Sequence, residues 1–143
     1  MNVIIVNLYL LWGSIQDLRK KKIGNAYLWI GGIIGIVFKI AEYGEEAGNL
    51  EKWIVSFFPG AVLLVLAKVT KEKIGLGDGW VVIVLGNFMT VSIIIVLLQN
   101  AIILAALFSM FFLCIGRVSK DYHIPFLPFL WLSHIFLWRL GYV

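Results

Sequence analysis

Polar and apolar positions along this chain do not alternate; they separate into long apolar blocks joined by short polar connections. The blocks run from Val3 to Gln16, from about Asn25 to Ala41, from Trp53 to Val69, from Trp80 to Leu98, from Ala101 to Gly116 and from Ile124 to Leu140. A helix that crosses a bilayer needs roughly 17–25 apolar residues, so blocks of this length, extended a little into their flanks, predict spanning helices. Only helices satisfy every backbone group within one apolar segment. The expectation is therefore an all-α, polytopic membrane protein of six transmembrane helices, one domain over residues 1–143, with a tight hairpin at Gln99 and Asn100 between the fourth and fifth helices. The first block has no basic stretch before it and no small-residue cleavage site after it, so it reads as a retained helix.

Composition agrees with this. The chain is 62% hydrophobic and only 14% charged, against about 25% charged in ordinary soluble domains. A soluble enzyme, a disordered chain and a disulfide scaffold are excluded on this ground. The net charge of +4 does not point to nucleic acid, because the basic residues lie in clusters between apolar blocks. Nine of the twelve (Arg19, Lys20, Lys21, Lys22, Lys68, Lys71, Lys73, Arg117 and Lys120) fall in the first, third and fifth connections. The other side keeps Lys39, Lys52 and Arg139 with Glu42, Glu45, Glu46 and Glu51. By the positive-inside rule the odd connections are cytoplasmic and both termini lie outside. Most of the six tryptophans stand near block ends, as interfacial anchors do. Cys114 stands alone inside an apolar block and reads as a small packing residue; with His123 and His134 it makes no metal site.

The chemistry rests on aspartates, of which there are three: Asp17, Asp78 and Asp121. Asp121, beside Lys120, reads as a solvated charge. Asp17 closes the first apolar block and Asp78 opens the fourth, so the expected topology brings both to one membrane face. Carboxylates at a membrane boundary are costly unless paired or functional. Two of them in one partly dehydrated site share a proton, one then activating water and the other polarising a carbonyl. Two plainer roles stay open: Asp78 as a helix N-cap, and Asp17 as a partner of Arg19 or Lys21. Around Asp78, Gly75, Gly77 and Gly79 give the backbone access to positive φ and close approach. A phosphate loop does not fit, since no Gly-Lys-Ser/Thr follows. Pro125 and Pro128 suit the first turn of the last helix.

Three stretches resemble those of one family. Asp17-Leu-Arg-Lys-Lys-Lys-Ile-Gly-Asn25 is similar to the aspartate motif of the type IV prepilin and preflagellin peptidases, with Gly24 where proline is usual. Gly75-Leu-Gly-Asp78 resembles the GxGD signature of the same membrane aspartic proteases, and Ile124-Pro-Phe-Leu-Pro-Phe-Leu130 resembles the segment that opens their last helix. The resemblance implies Asp17 and Asp78 as a catalytic pair, supported by Gly75, Gly77, Asn25 and Pro125, with no cofactor. It implies prepilin-like precursors (type IV pilin, Tad pilin or archaellin) as substrates, cut at the cytoplasmic face of the inner membrane. The cysteine-bearing insertion of larger members is missing, so peptidase activity without N-methyl transfer is expected. A small transporter or a non-catalytic assembly subunit is the alternative from a different class.

Overall fold

The computed structural model describes residues 3–20, 23–43, 50–70, 75–115 and 125–142. Lys21, Lys22, Lys71, Lys73, Arg117, Lys120, Asp121 and His123, which carry part of the charge pattern, lie outside them. All regular structure among the described residues is helical: α1 Val3–Lys20, α2 Asn25–Tyr43, α3 Leu50–Ser56, α4 Phe58–Val69, α5 Leu76–Leu85, α6 Val91–Cys114 and α7 Leu127–Arg139. α3 and α4 are one apolar stretch, Leu50–Val69, interrupted only at Phe57. The interruption follows from Pro59, the second residue of α4, which has no N–H to give and whose ring crowds the carbonyl four residues back.

Two stretches, Leu50–Val69 and Val91–Cys114, are long and apolar enough to cross a membrane, and only 22% of each is buried inside the protein. A core helix of a soluble protein would be mostly buried. Large apolar side chains face outward on the other helices as well, among them Leu8, Trp29, Trp80 and Phe136. Such continuous apolar surface is expected of a protein whose solvent is lipid. The interior core draws on Leu10 of α1, Tyr27 of α2, Leu85 of α5, Leu97 of α6 and Leu130 of α7. α1 packs on α7, α7 on α6, and α4 on α5.

The fourth and fifth blocks fold differently from expectation. No hairpin forms at Gln99 and Asn100; α6 runs straight through them. Asn100 returns its Nδ2 donor to the Val96 carbonyl at 3.1 Å, so its amide is absorbed within the helix. The chain turns instead at Gly86–Thr90, where tight backbone bonds run from Asn87 to Val84 and from Phe88 to Leu85. Asn87 is buried there, donating to Val84 and accepting from Trp53 Nε1 at 3.3 Å. A side chain at Gly86 would lie 2.9 Å from the Ser56 carbonyl, so this turn needs glycine. α5 is consequently ten residues, or about 15 Å, not a full-length span. Cys114, expected to pack, is exposed at the end of α6.

Candidate functional site

Asp17 lies near the end of α1 and Asp78 in the first turn of α5. They come from distant parts of the chain, yet the fold sets them close enough for their charges to interact. Asp17 is only 8% exposed, and a carboxylate so buried needs hydrogen bonds to its oxygens. One comes from the first residue of α7, whose backbone Leu127 N–H donates to Asp17 Oδ2 at 3.2 Å. Helix N-termini carry unsatisfied N–H groups and a partial positive charge, so this is a natural seat for a carboxylate. Pro125 and Phe126 lead directly into that turn, with Pro128 at its second position.

Asp78 has the same kind of setting. It is not the N-cap of α5; that residue is Gly75, in extended conformation, and Asp78 is the third helical residue. The carboxylate folds back over Gly75, where an added Cβ would sit 2.9 Å from Asp78 Oδ2.

The glycines of this stretch serve packing and not left-handed turns. Gly75 has φ −63°, and among the described residues positive φ occurs only at Gly141. Gly75 makes room for Asp78, Gly77 for Ile23 and Gly79 for Leu64. On the other side of the pair, Gly13, one turn before Asp17, makes room for Leu127 and Tyr27. Small residues let helices approach where apolar side chains alone would hold them apart. Tyr27 uses the space to stack on Tyr9 at 4.4 Å and to donate its hydroxyl to the Tyr9 carbonyl at 2.9 Å, which ties α2 to α1.

Asn25 begins α2 and lines a groove of about 500 Å³ between α2 and α5. Trp29, Gly32, Trp80, Ile83 and Asn87 form most of the rest of the lining. Nothing lies within 4 Å of where a Gly32 side chain would begin, so the open space comes up to the α2 backbone. No cluster of three metal-ligating side chains occurs among the described residues. Sequence reasoning missed the groove and the Leu127 N–H. Neither leaves a local signal, because one is a gap between distant helices and the other a backbone group.

Outward-facing apolar helices define a membrane protein, one in which the charges of Asp17 and Asp78 interact across distant parts of the chain. The model of the type IV leader peptidase family matches residues 4–110, and the chain belongs to that family. The matched stretch includes Asp17, Asn25, Gly75, Gly77 and Asp78 and stops before α7, so Pro125 lies beyond it. Comparisons with curated proteins and with solved structures give no match.

Proposed function

We propose that the chain is a membrane aspartic endopeptidase that removes the short basic leader from prepilin-like precursors at the cytoplasmic face of the inner membrane. In this reading residues 1–143 form one domain of six rods, α3 and α4 counting as one and the short α5 as a partial span, with both termini outside. The observation that carries it is the convergence of Asp17 and Asp78, from α1 and α5, in a family of leader peptidases.

The two carboxylates hold one proton between them. The ionised one takes a proton from a water molecule as its oxygen attacks the scissile carbonyl, while the protonated one donates to the carbonyl oxygen. The resulting diol collapses as a proton passes to the amide nitrogen, which leaves as an amine, and the pair returns to its starting state. No metal or nucleophilic side chain is required. Asp17, whose Oδ2 accepts from the Leu127 N–H, is assigned the base and Asp78 the acid. The groove between α2 and α5 begins beside Trp80, two residues from Asp78, and its apolar lining suits the hydrophobic segment that follows the leader.

The test is cleavage of a panel of prepilin-like precursors in detergent or membranes by wild type, Asp17→Asn and Asp78→Asn at matched expression. Leader removal by wild type, lost in each single variant, is the expected result. Full activity in either variant removes that residue from the mechanism. A folded, inserted wild type that cuts none of the panel returns the chain to the transporter or assembly reading.

A further inference from the structure

α1 and α7 run antiparallel, and polar contacts join them at two levels. At one end Leu127 N–H donates to Asp17 Oδ2 at 3.2 Å; at the other His134 Nδ1 meets Asn7 Oδ1 at 3.1 Å. As the partner on α1 moves back from Asp17 to Asn7, the partner on α7 advances from Leu127 to His134. On α1, Asn7, Leu10, Ser14 and Asp17 recur at helical spacing and form one stripe. Ser14 turns its hydroxyl back to the Leu10 carbonyl at 2.7 Å, within α1.

The Asn7–His134 contact has one sense. Asn7 Oδ1 only accepts, so Nδ1 of His134 carries the proton and donates. The imidazole is fully buried, and its Nε2 has no hydrogen-bond partner among the described residues. A histidine held this way depends on Asn7 for its one bond. α7 also buries Leu127, Leu130, Ser133 and Leu137, and the Ser133 hydroxyl has no hydrogen-bond partner among the described residues. Between helices in lipid, apolar contacts set register weakly, because a leucine meets lipid tails as readily as another leucine. A directional hydrogen bond is made in one register only.

We propose that Asn7 and His134 are a positioning pair: their bond fixes the axial register of α1 on α7 and thereby seats Asp17 on the Leu127 N–H. Neither residue touches the carboxylates, since ten residues of helix put Asn7 about 15 Å from Asp17 along α1. The link to activity rests on the functional reading of Asp17 given above; the link to register does not.

Spin labels at Ile15→Cys on α1 and Leu132→Cys on α7, both exposed, in a Cys114→Ser background report the register as a distance distribution. The measurement uses the full chain in lipid nanodiscs. His134→Phe keeps a ring in the space but removes the bond, and the exchange Asn7→His with His134→Asn restores a donor–acceptor pair. The expected result is one narrow distribution for the parent. His134→Phe then gives a broadened or second population displaced by up to a turn, about 5 Å, and the exchange restores the narrow one. In unlabelled proteins, His134→Phe lowers kcat about tenfold with KM unchanged, and the exchange recovers it. Asn7→Leu serves as the second variant if His134→Phe does not insert. An unaltered distance distribution in His134→Phe and Asn7→Leu overturns the proposal, as does altered register with full kcat. A wild type that cleaves no precursor overturns the functional reading instead, and the distance arm still decides the register.

Discussion

Gly77 is the second glycine of the Gly-Leu-Gly-Asp stretch, and its replacement by alanine tests what that glycine is for. The new Cβ would stand 2.6 Å from Cδ1 of Ile23 and 3.1 Å from Ile23 Cβ and Cγ1. Carbon pairs are at their best near 3.5–4.0 Å, so either Ile23 or the first turn of α5 must move. Ile23 has limited freedom, because it immediately precedes Gly24, whose N–H donates to Gln16 Oε1 at 3.4 Å. Overpacking of this kind costs about 1–3 kcal/mol. At about 2 kcal/mol the well-packed arrangement is disfavoured roughly 30-fold. Asp78 rides on the same turn, so kcat/KM falls by up to that factor. Ile23→Ala removes Cδ1 and Cγ1 and leaves only the 3.1 Å contact, so the double variant recovers most of the loss. The assay is a four-protein cycle read by kcat/KM and by reversible detergent unfolding. A coupling energy of about 1 kcal/mol or more, in the compensating direction, is expected. If the two changes add to within about 0.5 kcal/mol, as independent sites do, Gly77 is not there to admit Ile23 and the packing argument fails.

Other outcomes follow from the same geometry. Gly32→Phe places a ring in the groove between α2 and α5 without a backbone clash; KM for a precursor rises about tenfold while unfolding is unchanged, and an unaltered KM would remove the groove from substrate binding. Gly75→Ala pushes a methyl group to 2.9 Å from Asp78 Oδ2 and forces a poorer side-chain rotamer at about 0.5–1.5 kcal/mol; kcat falls about two- to tenfold with little change in stability. The rate of leader removal is bell-shaped in pH, lost on the acid side as the base takes a proton and on the alkaline side as the acid loses one; a profile with a single limb contradicts the paired mechanism. Chelating agents leave cleavage unchanged, and restoration by an added divalent cation would refute a mechanism carried by carboxylates alone.

Much of the protein was legible in one dimension. Block lengths and apolar content predict helices throughout, and α1 and α2 begin where the blocks do, at Val3 and Asn25. Scarcity of aspartate singles out Asp17 and Asp78, and the motifs around them point to the leader peptidase family to which the chain belongs. These are local properties: a run of apolar residues long enough for lipid, or a carboxylate at its edge, is visible without knowledge of what packs against it.

Tertiary structure decided the rest, for one physical reason. In an apolar solvent nearly every helix face is apolar, so hydropathy does not distinguish a face that meets lipid from one that meets another helix. The turn at Gly86–Thr90, in place of one at Gln99 and Asn100, depends on Ser56 and Trp53 from a separate helix. The glycines at the start of α5 look conformational in sequence, yet they are spaces for Asp78, Ile23 and Leu64. Asp17 is held by a backbone N–H 110 positions away, and Asn7 by an imidazole 127 positions away. Contacts of that range exist only once α1 and α7 have come together.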